Sequence, residues 1–124
     1  MTIYHPDAWV IVKISSKIAA DVDSHYRVFA GWLGGFATGD SWKMNSGITR
    51  VEEDGDLVRF HGSSGSVYEV SRHVEHMTGY MMQVLTNIAT VNDAAMTIEM
   101  DDYVDFRADC KEVTVCQAPA TPGR

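Results

Sequence analysis

Apolar and polar positions change period along this chain, and the changes mark its elements. Trp9-Val10-Ile11-Val12-Lys13-Ile14 is a nearly unbroken β-branched run. It predicts a first strand with cover on both faces or an ambiguous register. From His25 to Leu33 the pattern has period two. Tyr26, Val28, Ala30 and Trp32 point one way and His25, Arg27, Phe29 and Leu33 the other, so a second strand, aromatic on both sides, is expected. Ile48 to Glu53 and Leu57 to His61 flank Asp54-Gly55, a hairpin signal in which Asp-Gly supplies the positive φ angles of a type I′ turn. Gly62-Ser63-Ser64-Gly65 then closes a second hairpin onto Ser66 to Val70, its glycines freeing the backbone and its serines solvating it.

After Ser71 the period lengthens. Met81, Val84, Leu85, Ile88 and Val91 recur at helical spacing on one face, with Thr78 placed to cap the helix start. Alternation returns from Ala95 to Asp101, where Met96, Ile98 and Met100 oppose Thr97, Glu99 and Asp101, so a final strand should rejoin the sheet. Gly31, Gly34, Gly35 and Gly39 interrupt a stretch that holds Trp32, Phe36 and Trp42, which predicts a shaped loop of close backbone approach. The expected fold class is α+β: an antiparallel β-sheet of about five strands, a β-meander, with one main α-helix packed on it. Residues 1–118 would form a single domain and 119–124 a mobile C-terminal tail.

A chain of 124 residues, 45% apolar and 22% charged, has the composition of one ordinary globular core. Its longest apolar run, Ala8 to Val12, falls far short of the about 20 residues that span a bilayer. No basic segment leads into an apolar signal core, so no membrane partner and a cytoplasmic location are expected. Seventeen acidic against ten basic residues give a net charge of −7, which repels polyphosphate and argues against a DNA or RNA polymer as partner. A small anionic ligand held by a few local arginines stays compatible with that total. Cys110 and Cys116 are too few for a disulfide framework or a tetrahedral zinc site and are expected as reduced thiols.

No catalytic signature stands out, and the chain is expected not to be an enzyme. Ser63, Ser64 and Ser66 sit in a turn with no base marked beside them. The glycine-rich stretch lacks both the dinucleotide pattern and the Lys-Ser/Thr of a phosphate loop. His73 and His76 lie three apart, but no third ligand is marked, so no metal or cofactor is assigned. Binding groups are easier to name. Trp32 and Trp42 are flat faces of the kind that stack on bases for about 1–3 kcal/mol each, and Arg50 and Arg59 lie on neighbouring hairpin strands where their guanidinium groups could converge on a phosphate. Ordinary packing and solvated strand faces explain the same residues. Met77, Met81, Met82 and Met100 read as adaptable core or as an oligomer interface.

The words Gly31-Trp32-Leu33-Gly34-Gly35, Gly39-Asp40-Ser41-Trp42-Lys43-Met44-Asn45-Ser46-Gly47-Ile48, Glu52-Glu53-Asp54-Gly55-Asp56 and Gly62-Ser63-Ser64-Gly65-Ser66-Val67-Tyr68 resemble a family of small phage proteins over residues 9–70, half the chain. In layout, a sheet, a helix and a further strand, the chain is also similar to the Thoeris anti-defence sponge family. Members of that family sequester cyclic ADP-ribose signals and, in some cases, the cyclic oligonucleotides of related defence systems. The resemblance implies an apolar helix residue against the base, a helix-end amide, and arginines on the phosphates. Met82, Asn92 and Arg107 are the nearest positions here, with methionine where that family would place an aromatic platform.

The function expected from these features is sequestration, without cleavage, of a cyclic nucleotide immune signal by a phage anti-defence protein. It would act as a homo-oligomer, since a shared pocket lets so short a chain enclose two nucleotides. The alternative is a protein-binding inhibitor of a host immune or restriction protein, using the acids of Glu52 to Asp56 and Asp101 to Asp105 as contact patches.

Overall fold

The computed structural model describes residues 2–18, 24–35, 39–110 and 112–115. Strands β1 (Ile3–Tyr4), β2 (Ala8–Ser16), β3 (His25–Trp32), β4 (Ser41–Met44), β5 (Ile48–Asp54), β6 (Leu57–Gly62) and β7 (Val67–Ser71) come first. A 3₁₀ turn (Arg72–Val74), helix α1 (Gly79–Val91), β8 (Met96–Asp101), helix α2 (Tyr103–Asp109) and β9 (Val113–Val115) follow. The α+β class and the β5-β6-β7 meander agree with the sequence. The single five-strand sheet does not, because the strands divide into two sheets, ordered β1-β7-β6-β5-β9 and β4-β3-β2-β8.

The division follows from β2. Its apolar run buries both faces: Trp9 and Ile11 pack with Val51, Phe60 and Tyr68 of the meander sheet, while Val10, Val12 and Ile14 pack with Met81 and Leu85 of α1. A strand covered on both sides must lie in a middle layer. The molecule is therefore meander sheet, inner sheet and helix, stacked in that order. Trp9 is fully buried between the sheets and donates its indole N–H to the Ser71 carbonyl at 2.7 Å, so its one polar atom is satisfied.

Four elements fall outside the expected plan. β1 and β9 pair in parallel with β7 and β5, so the meander sheet is mixed, and β4 pairs antiparallel with β3. Strands of two to four residues are too short to show a period. Helix α2 is capped by Asp102, whose carboxylate accepts from the Asp105 N–H at 2.8 Å, and turns Tyr103 and Phe106 into the core. The glycine-rich segment is accordingly strand at both ends, not a loop throughout; Phe36 lies outside the described residues, as do Cys116 and the expected C-terminal tail.

Local expectations fare better. Thr78 Oγ1 accepts from the Met81 N–H at 3.1 Å and α1 begins at Gly79. β5 and β6 meet across Gly55 and Asp56, but Gly55 alone has positive φ (60°). That makes the turn type II′, which needs glycine only at its first central position, in place of type I′.

Candidate functional site

β4 is the outer strand of the inner sheet, and the chain bends sharply after it at Asn45. The Asn45 amide nitrogen donates to the Val28 carbonyl at 3.0 Å, and its side-chain Oδ1 accepts the Val28 N–H at 2.8 Å. These bonds fix the bend against β3. Asn45 is only 3% exposed, and its Nδ2 donates to no described residue, which leaves a buried donor whose pairing is worth about 1–3 kcal/mol. Ser46, next in sequence, accepts from the Ser64 N–H and the Ser63 hydroxyl, each at 2.9 Å. That ties the β6–β7 turn to the end of β4.

Between these pieces lies a depression of about 520 Å³, lined by Asn45, Ser46, Ser64 and Ser66 together with Arg27, Lys43, Tyr4, Tyr68 and Trp42. A neighbouring depression of about 510 Å³ shares Tyr4, Trp42 and Lys43 and adds Trp32 and His5. Both volumes suit a small organic ligand. The Tyr4 ring tilts against Tyr68 at 5.0 Å and meets the edge of Trp32 at 6.1 Å, and Lys43 Nζ stands 5.3 Å from its centroid.

No Asp or Glu lines either depression. Arg27 Nε donates to His25 Nε2 at 3.0 Å. Burial, and then the Arg27 charge, push the His25 pKa down, so this partner stays a neutral acceptor and leaves the guanidinium charge uncompensated. Among the described residues neither Arg27 nor Lys43 forms an ion pair, whereas Lys17, Arg50, Arg59 and Arg107 all do. In a protein of net charge −7, this edge is a local positive region.

The residues singled out in the sequence are distributed differently. Trp32 and Trp42 reach the same edge, but from opposite faces of the inner sheet, since Trp32 pairs with Ser41 and Trp42 with Gly31. Trp32 donates its indole N–H to the His5 carbonyl at 3.0 Å, and Trp42, 38% exposed, tilts against Phe29 at 5.8 Å. Arg50 and Arg59 do share the outer face of the meander sheet, through the Arg50–His61 and Glu52–Arg59 pairs. There carboxylates already hold them: Arg59 binds Glu69 at 2.7 Å and Asp54 at 3.2 Å, and Arg50 lies 3.6 Å from Glu52.

Arg107 binds Glu53 at 3.1 Å, and Glu53 also accepts from the Tyr103 hydroxyl. Met82 sits in the first turn of α1, and Asn92 ends the same helix, its Nδ2 donating to the Ile88 carbonyl at 2.8 Å. Ten residues of helix separate these two by roughly 15 Å. Met82 and Asn92 therefore stand at opposite ends of α1, and Arg107 is engaged by Glu53. His73 pairs with Asp56 at 3.2 Å, apart from His76, which lines a separate depression.

Arg27, Lys43 and Asn45 line this edge together, and the sequence alone sets none of them apart from its other polar residues. Nothing local marks them, because what distinguishes Arg27 and Lys43 is the absence of a carboxylate partner in the folded register, and what distinguishes Asn45 is its burial. No family model, curated protein or solved structure matches the chain.

Proposed function

We propose that the protein binds a small anionic ligand carrying a flat ring system, of which a nucleotide is the type, at the β4 edge, and binds it without converting it. The observation that carries this reading is that Arg27 and Lys43, both without a carboxylate partner among the described residues, line one acid-free depression together with hydroxyls and aromatic rings. Guanidinium and ammonium groups form charge-assisted hydrogen bonds with phosphate oxygens. The hydroxyls of Ser46, Ser64 and Ser66 supply neutral donors beside them. Trp42, which lines both depressions, offers the planar surface. Sequestration of a nucleotide signal, as the sequence resemblance implies, is the biological form of this activity, since a sponge needs affinity alone.

Isothermal titration calorimetry with ADP-ribose, cyclic ADP-ribose and cyclic di-AMP tests the reading, with inorganic phosphate as control. At least one nucleotide should bind and be recovered intact after heat release. Lys43→Ala and Arg27→Ala should each weaken binding about tenfold or more, the loss of one charge-assisted bond, while Arg59→Ala should leave it within about twofold. Absence of binding, or binding indifferent to Arg27 and Lys43, would overturn it, and recovery of cleaved ligand would make the protein an enzyme.

A further inference from the structure

We infer that the depression between the start of α1, the end of β8 and residues 75–77 docks a peptide segment of a partner protein, one that presents a large apolar side chain flanked by Lys or Arg. The site is separate from the β4 edge and stands independently of the ligand proposed there.

Its floor is apolar. Val10 and Met77 line it together with Met82 and Met100, which are 54% and 59% exposed. Met96 and Ile98, earlier on β8, turn into the core beneath α1, and Met100 continues that face past the point where the helix covers it. The cavity measures about 390 Å³, room enough for a bulky side chain. Unbranched thioethers fit themselves to varied apolar shapes, which is why exposed methionines suit peptide capture.

Its rim is acidic. Glu75, Asp101 and Asp102 line the same depression beside His76, and no Lys or Arg does; the Glu75 carboxylate also accepts from the Tyr103 N–H at 2.7 Å. The Asp105 carboxylate lies within 4.8 Å of those of Asp101 and Asp102. Among the described residues none of these three aspartates forms an ion pair, whereas Glu52, Glu53, Asp54 and Asp56 each face an Arg or His of their own chain. Of the two acidic clusters visible in the sequence, one thus faces cationic or imidazole groups of its own chain, while the other, among the described residues, meets only backbone N–H groups, at Asp101 (3.0 Å) and Asp102 (2.8 Å). Burial, with the charges of Asp105 and Asp102, holds the Asp101 carboxyl above its ordinary range, and an arriving cation relieves that repulsion.

Charge selects the occupant. A second copy docked about a two-fold axis would set the same rim against itself, and anionic lipid or nucleic acid is repelled. A basic segment with one apolar anchor matches both the floor and the rim.

Selection of a displayed library of random peptides, about 12 residues long, on the intact protein at about 150 mM salt tests this. Enriched peptides should carry Leu, Met, Phe or Trp beside Lys or Arg. A synthetic consensus peptide should lose at least about tenfold in affinity, by fluorescence anisotropy, to a Met82→Ser/Met100→Ser variant and to an Asp101→Asn/Asp102→Asn variant. Asn still caps α2, and unchanged thermal melting confirms that both variants fold. No enrichment, or peptides insensitive to both variants, would overturn the proposal. So would self-association by sedimentation that the methionine variant abolishes, which would assign the face to a second copy.

Discussion

At Gly31 the inner sheet and α1 approach so closely that a methyl group has no room. A Cβ there would stand 2.5 Å from Met81 Sδ and 2.7 Å from its Cγ, and Met81 is fully buried. Gly31→Ala should therefore destabilise the protein by about 1–3 kcal/mol through overpacking. Combined with Met81→Ala it should cost less than the two changes summed, and urea unfolding in a double-mutant cycle measures the difference. Strict additivity would mean that Met81 has somewhere else to go. The close approach was legible, since a glycine among aromatics announces it; the partner was not, because Met81 lies 50 residues away and only the layering brings it there. Thr78 and Gly55 were legible for the opposite reason, their roles being local. Asn45 belongs with Met81: its bonds run to Val28, and no property of Lys-Met-Asn-Ser foretells them.

Among elements, the meander was readable because its turns carry fixed chemistry and its strands are long enough to alternate. β1, β4 and β9 were not, and with them went the division into two sheets. The outer face of the meander shows what register adds. Arg50 and Arg59 were placed together correctly, yet the same register sets Glu52, Asp54 and Glu69 among them, turning an expected phosphate grip into a charge ladder. That ladder has a pH signature. The hydrogen bond with His61, the largest effect, together with the charges of His61, Arg50 and Arg59 outweighs burial, the second largest, and holds the Glu52 carboxyl below its usual 4.5. A depressed folded-state pKa contributes stability above the unfolded value, and that contribution is lost as pH falls below 4.5 through the folded value. Melting temperature should drop between about pH 5 and about pH 3, and Glu52→Gln should flatten part of the drop; an unchanged slope would remove Glu52 from the ladder.

For the whole molecule, three stacked layers leave the inner sheet, among the described residues, open along its outer strands β4 and β8, and these two edges differ in charge. Beside β4 lie Arg27 and Lys43 with no carboxylate in the wall; beside the end of β8 lie Asp101, Asp102 and Asp105. Among the described residues no helix is long and apolar enough to cross a membrane. A polarity of this kind was not visible in a net charge of −7, because it depends on which charges the fold cancels. It also separates the two proposed activities, an anion at one edge and a basic segment at the other. The most direct measurement is an amide-resolved NMR titration of the labelled protein with ADP-ribose, whose pyrophosphate and adenine ring match the two halves of the β4 site. Shifts should concentrate on Arg27, residues 43–46 and residues 64–66 and leave Arg59 and Asn92 in place. Shifts centred on the Arg50–Arg59 face, or none at millimolar ADP-ribose, cyclic ADP-ribose and cyclic di-AMP alike, would contradict the account.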